Sequence, residues 1–149
     1  MRRPEQILVV PFVRDGGSAV YGVLHRVDFD AWQGVAGGVE DDESPTQAAI
    51  RECREELGLS DDVDVVPLTA MTTIPSYFFK ENSEWGGGVY VVPEYSFAVD
   101  VSRMRMHLGH EHDSVQWLPY EEASDLFTFD SNRTALWEID QRIKDGTLS

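Results

Sequence analysis

Apolar residues fall along this chain in two rhythms. "ILVVPFV" (7–13) and "AVYGVLHR" (19–26) are short β-branched runs on either side of the turn-rich "RDGGS", a pattern that predicts a β-hairpin. "VDVVPLTAMTTI" (63–74), "EYSFAVDV" (94–101) and "DSVQWLP" (113–119) read as further strands. "PSYFFKENSEWGGGVYVVP" (75–93) lies between two of them, and its aromatics and glycines predict a loop or hairpin over a pocket. "VDFDAWQGVAGG" (27–38) reads as a loop. The rhythm changes in "SPTQAAIRECREELG", where Ala49, Cys53 and Leu57 recur at i, i+4 and i+8 with Ile50 beside them. One helix face is therefore apolar, and Arg51, Glu52, Glu55 and Glu56 are left to the remainder. Its punctuation is complete: Ser44 as N-cap, Pro45 at the first helical position, Gln47 closing a capping box and Gly58 as the stop. "YEEASDLF" and "SNRTALWEIDQRIKDG" also read as helices, the second carrying Leu136, Ile139 and Ile143 at helical spacing. No linker, internal repeat or low-complexity tract divides the chain. The expectation is one α/β domain over residues 1–149, a mixed β-sheet with helices packed on its faces.

Composition narrows the partners. A chain of 149 residues with 42% hydrophobic content can bury an ordinary core. Its formal charge of -15 is spread along the sequence, with only two lysines, Lys80 and Lys144, beside ten arginines. Such a surface repels nucleic-acid phosphates and anionic membranes, so neither is an expected partner. A phosphate-bearing ligand would need a cation to mediate. No segment approaches the roughly 20 apolar residues that span a bilayer. "MRRPEQILVVPFV" is broken by Pro11 and lacks a small-residue cleavage site, so it reads as a first strand and not a signal peptide. The single cysteine, Cys53, excludes an internal disulfide. A cytoplasmic protein is the default expectation, and the sequence sets no oligomeric state.

The acids of the central helix need explaining. Residues three and four apart are neighbours on a helix, so Glu52 lies beside both Glu55 and Glu56. Like charges so placed destabilise an isolated helix, although Arg51 and Arg54 offset part of the repulsion. A solvated acidic face is one reading. The other is that hard divalent cations sit among the oxygens, and Mg2+ suits a few carboxylates together with substrate phosphates.

Gly37, five residues, Glu43, seven residues and then "RECREELGL" (51–59) resembles the signature of the Nudix hydrolases at every fixed polar and glycine position. Cys53 departs from the bulky aliphatic residue usual there, as a small hydrophobe. The resemblance implies an α/β/α sandwich with a catalytic loop-helix-loop, and Mg2+-dependent hydrolysis, with Mn2+ as the alternative ion, of a nucleoside diphosphate linked to another moiety. It implies Glu52 and Glu56 as main metal ligands, Glu55 and the Gly37 carbonyl as further ones, Arg51 to orient the glutamates and Glu43 to buttress it. A family hydrolase also needs a base. Glu111 in "GHEHDSVQWLP" is the candidate for base and further ligand, with a glutamate of the helix as the alternative base and His110, His112 and Asp113 as nearby competitors, the two histidines expected at polar loop positions.

Outside the signature, "RRPEQILVV", "DFDAWQGVAGGVE", "EHDSVQWLP" and "FDSNRTAL" resemble the branch of the family that hydrolyses dihydroneopterin triphosphate or dATP. That implies a small-molecule nucleotide or pterin triphosphate as partner, cleaved to a monophosphate and pyrophosphate. It implies Arg2, His25 and Arg26 near the triphosphate or base, and Ser131 and Asn132 in the pocket. Ala36 stands where such relatives carry threonine, and His25 where they carry arginine, which affects ring specificity and leaves the metal chemistry alone. Trp32, Phe78, Phe79, Trp85 and Tyr90 offer faces for a flat ring, with core packing as the expectation for each. Dinucleoside polyphosphates or nucleoside diphosphate sugars are alternative substrates. A binding module that senses a nucleotide without cleaving it is a third reading, disfavoured because every signature glutamate is kept.

Overall fold

The computed structural model describes residues 1–148; Ser149, the expected end of the domain, lies outside the described residues. β1 (Arg2–Asp15) and β2 (Ser18–Arg26) form the anticipated hairpin, paired antiparallel from Phe12↔Tyr21 to Asp15↔Ser18. Beyond that tip the two strands part. β3 (Trp32–Gln33) pairs with Leu24 and His25 of β2, and β4 (Val35–Glu40) pairs with the Arg2 to Val9 half of β1. The expected loop over 27–38 therefore contains two strands. Alanine and glycine occupy β4 where β-branched residues would have announced a strand, because a helix packs down on it. β1 also starts well before residue 7, and its first residues are polar because they wall a cleft instead of a core.

On the other edge of β1, β6 (Val91–Asp100) runs parallel to it and β5 (Val65–Pro75) antiparallel to β6. β7 (His112–Leu118) completes the mixed seven-stranded sheet by pairing with β2. The segment before β6 holds two short 3-10 turns, Ser76–Phe78 and Lys80–Glu84.

Alternate residues of β1 enter two cores. Ile7 and Val9 pack with α1 (Pro45–Leu57), while Leu8, Val10 and Phe12 pack with α2 (Tyr120–Leu126) and α3 (Asp130–Asp145). A strand covered by helices on both faces must be apolar at consecutive positions, which explains the unbroken "ILVV". The result is the expected α/β/α sandwich. Among the described residues, no helix is long and apolar enough to cross a membrane.

The predicted punctuation of α1 is present. The Ser44 hydroxyl accepts from the Gln47 N–H, the Gln47 side chain accepts from the Ser44 N–H, and Gly58 closes the helix at φ 67°. The burial differs from the expected single stripe, because α1 presents two adjoining i, i+4 rows to the sheet. Ala49, Cys53 and Leu57 form one, and Ala48, Glu52 and Glu56 form the other. Cys53 is fully buried and its thiol is pushed up to about 12 by desolvation, so it acts as the small hydrophobe anticipated.

Candidate active site

The second row of α1 places two acids where apolar residues normally sit. Glu52 is 7% exposed and Glu56 is 3% exposed, whereas Glu55 stands in solvent. Burying a side chain such as Leu57 gains about 2 kcal/mol. Burying a carboxylate costs several kcal/mol unless it is paired. The helix thus gives up more at Glu56, whose Oε1 is unpartnered, than a neighbouring leucine returns. Desolvation pushes the Glu52 carboxyl up to about 7, and the opposing pull of Arg51 does not cancel it. Glu56 is raised by burial and then by the Glu111 carboxyl facing it.

Arg51 organises this end. Its Nε and Nη2 donate to the two Glu43 oxygens at 2.6 and 2.9 Å, its Nη1 to Glu52 Oε1 at 2.8 Å, and Nη2 also to the Gly38 carbonyl at 2.8 Å. Glu43 is held below the usual carboxylate range by that fork, and it accepts the Glu40 N–H as well. The guanidinium therefore ties the loop after β4 to the helix and fixes one oxygen of Glu52. β4 can lie this close only without a side chain at Gly37, where a Cβ would fall on the Glu52 carboxyl.

The opposite wall is the segment leading into β7. His107 N–H donates to the Leu57 carbonyl at 2.9 Å and Gly109 N–H to the Glu56 carbonyl at 3.0 Å, which seats the loop on the end of α1 and brings Glu111 to the cleft. His110 and Asp113 are exposed, and Asp113 is taken by His25. His112 differs from the polar loop position expected of it. It is the first residue of β7, 5% exposed, with Nδ1 3.8 Å from Glu56 Oε1 and neither ring nitrogen hydrogen-bonded. Burial lowers its pKa, so the imidazole is neutral near pH 7.

The residues of this end fit a hard divalent cation. Glu56 Oε1 is buried without a hydrogen-bond partner, and the neighbouring Glu55 and Glu111 carboxyls add to the cost of ionising Glu52 and Glu56. All are oxygen donors of the kind Mg2+ or Mn2+ takes. As the side chains stand, no three acidic, histidine or cysteine groups among the described residues converge on one point. Glu52 is turned to Arg51, so ligation would involve rotation of the carboxylates.

The cleft they open onto has a volume of about 1280 Å3. Of the residues singled out in the sequence, Arg2, Arg26, Ala36, Gly37, Arg51, Glu52, Glu55, Phe78, Phe79, Glu111, Ser131 and Asn132 line it. His25, Trp32 and Glu56 are not among its lining residues. His25 is held between Asp30 and Asp113 at 2.8 and 3.0 Å, with its ring 4.7 Å from that of Trp32. Arg26 is gripped by Asp28 and lies over Phe29. Phe78 and Tyr90 are exposed and Phe79 and Trp85 half-buried, so core packing does not describe these four, while half-buried Trp32 packs against the core under α2 and α3 as expected. Phe79 lies under the Arg2 guanidinium, and Trp85 Nε1 donates to the Arg2 carbonyl. Sequence reasoning passed over Gln6, Gln33, Lys80 and Glu94, all in the lining. Glu94 left a usable signal, an acid inside an apolar strand pattern.

Comparison with known proteins adds ancestry to this geometry. Residues 2–138 match the family model of the NUDIX domain. The chain is 33% identical to the dihydroneopterin triphosphate diphosphatase of Escherichia coli K12 over 139 residues, 91% of each chain. Its fold is similar to that of a NUDIX hydrolase from Listeria monocytogenes, with a TM-score of 0.89, 40% identity and 99% of each chain covered. The E. coli dihydroneopterin triphosphate pyrophosphohydrolase structure is also similar, with a TM-score of 0.75 and 28% identity over 95% of this chain and 97% of that one.

Proposed function

This chain belongs to the Nudix hydrolases, and we propose that it is a Mg2+-dependent pyrophosphohydrolase that cleaves a pterin or purine nucleoside triphosphate to a monophosphate and pyrophosphate in the cytoplasm. The observation that carries the reading is the buried pair Glu52 and Glu56, crowded by Glu111, of which Arg51 pairs with Glu52 and leaves Glu56 Oε1 without a partner. Glu52, Glu55 and Glu111 at one end of a cleft, with Glu56 buried behind them, repel a triphosphate unless cations lie between them. Glu52, Glu56 and Glu55, with Glu111 and the Gly37 carbonyl, would hold Mg2+. When bound, the ion neutralises phosphate charge and lowers the pKa of a coordinated water. Arg51 keeps Glu52 from swinging freely, and Glu43 keeps Arg51 in place. Glu111, on the opposite wall of the cleft, would take a proton from an attacking water. Lys80 and Arg2 line the same cleft and supply positive charge facing an anionic substrate. The 33% identity to a dihydroneopterin triphosphate diphosphatase supports the pterin triphosphate as the first substrate to try.

The test is release of pyrophosphate against orthophosphate from dihydroneopterin triphosphate, the dNTPs, dinucleoside polyphosphates and nucleoside diphosphate sugars, with Mg2+ and with chelator. Pyrophosphate from the pterin triphosphate or dATP, abolished by chelator, is the expected result. Cleavage of another member alone would move the substrate within the family. Binding with no product under Mg2+ or Mn2+ would replace catalysis by sensing.

A further inference from the structure

The far end of the cleft carries an acid that the hydrolytic chemistry does not use. Gly38 of β4, Gln6 of β1, Glu94 of β6 and Thr72 of β5 are register partners in one rung across four strands, and all four line the cleft. Gly38 accepts from Arg51 at the acidic end, so Glu94 stands about two strand spacings, roughly 10 Å, away from it along the sheet. Glu94 is 3% exposed. Its Oε2 accepts from Gln6 Nε2 at 2.9 Å, and its Oε1 has no hydrogen-bond partner.

The orientation of Gln6 follows from its other neighbour. Arg2 Nη2 lies 2.6 Å from the Gln6 side-chain oxygen, and a guanidinium can only donate. Gln6 must therefore turn its oxygen to Arg2 and its NH2 to Glu94, which makes Glu94 an acceptor. The relay Arg2 to Gln6 to Glu94 satisfies one oxygen and leaves the other buried and free. A structural ion pair would have closed that oxygen, and a solvated acid would have left the sheet. Burial raises the Glu94 pKa, while the Gln6 amide and the nearby Ser131 hydroxyl favour its ionised form. Half-exposed Phe129, just before Ser131, gives an apolar face beside this polar floor.

We propose that Glu94 reads the heterocycle of the substrate, accepting hydrogen bonds from an adjacent ring N–H and amino group, so that the cleft selects the 2-amino-4-oxopyrimidine edge of a pterin or guanine over adenine. The inference deepens the function proposed above and rests on the same cleft. A carboxylate presents two acceptors side by side. Pterin and guanine present two donors side by side, which match. Adenine and cytosine place an amino donor beside a ring-nitrogen acceptor, whose lone pair would face the carboxylate. A site built around a buried hydrogen-bonding group discriminates strongly, because the wrong ring leaves that group unpaired.

The experiment is equilibrium binding of neopterin, guanosine, inosine and adenosine to the full chain, without phosphate or metal, for the wild type and Glu94→Gln, with folding checked by thermal melting. Neopterin and guanosine are expected to bind at least tenfold tighter than adenosine. Glutamine offers a donor and an acceptor together, the match for adenine. Glu94→Gln should therefore lower the guanosine-to-adenosine ratio at least tenfold. Inosine, which lacks the 2-amino group, should bind the wild type at least tenfold more weakly than guanosine, a readout independent of the variant's folding. Equal binding of inosine and guanosine, a wild-type preference for adenosine, an unchanged ratio in a folded Glu94→Gln, or no measurable binding of any ring would each overturn the assignment. Triphosphate cleavage with Mg2+ is scored separately. Cleavage without ring discrimination removes the role of Glu94 alone, and ring discrimination without cleavage removes the hydrolase reading and leaves Glu94.

Discussion

At one end of the cleft, Arg51, Glu52 and Glu56 come from two consecutive turns of α1, and the Arg51 guanidinium reaches Glu43, Glu52 and Glu55 but not Glu56. At the other end, Gln6, Glu94 and Ser131 come from β1, β6 and α3, and one carboxylate is half satisfied by a polar relay that begins at Arg2. Both ends bury acid against its preference for water. The excess of charge at the first exceeds what any neutral ligand could relieve, so it calls for cations. The deficit at the second is one acceptor oxygen, which a pair of ring donors can fill. Buried acids in one cleft are thus proposed for different chemistry because their surroundings leave different things unsatisfied.

The largest effect should come from the first end. Glu56→Gln keeps the shape and removes a proposed ligand, and a loss of several kcal/mol of transition-state stabilisation corresponds to about a thousandfold or more in kcat/KM with Mg2+. Steady-state kinetics check it. Full turnover would dismantle the metal assignment, and a changed ring preference with an unchanged rate would show that the two ends are not separate. Next in size is Arg51→Lys. A lysine cannot reproduce the fork to Glu43 together with the contacts to Glu52 and Gly38, so activity should fall about 10- to 100-fold with a weaker apparent affinity for Mg2+. A Mg2+ titration of the rate reads both quantities.

Titration sharpens the comparison further. The Glu52 pKa is raised to about 7 in the folded chain against an ordinary value of 4.5. Between those values the folded state holds a proton that the unfolded state has lost, so this group makes the metal-free protein less stable as pH rises from about 4.5 to 7. Buried His112, with its pKa lowered, acts in the opposite direction as pH rises toward 6.5. Thermal melts in chelator at pH 5 and pH 7.5 separate the two: Glu52→Gln should melt relatively higher at pH 7.5, and Mg2+ should raise the wild type more at pH 7.5 than at pH 5. A difference between the two proteins that does not vary with pH would count against the Glu52 assignment. The smallest effect is expected from Ser44→Ala, which removes the N-cap of α1 and should cost about 1 kcal/mol of stability by denaturant titration. Because that helix carries the acidic end, its loss should loosen Mg2+ binding more than ring binding.

The amino-acid sequence by itself determined what lies within a few residues along the chain. The capped helix from Ser44 to Gly58, the hairpin of β1 and β2, and the adjacency of Glu52 to Glu55 and Glu56 depend on local geometry, so spacing and turn chemistry were enough to find them. Local geometry also misled: it hid β3, only two residues long, and β4, whose alanine and glycines make sense beneath α1, and it left Glu52 and Glu56 off the face of α1 that tertiary packing buries. The second end of the cleft was out of its reach. Gln6 and Glu94 are 88 positions apart, and nothing in either segment states that parallel pairing of β1 with β6 will set them side by side. Which acids are desolvated, and what is left to pair with them, follows from packing, because desolvation depends on everything that surrounds a group and not on its neighbours in sequence.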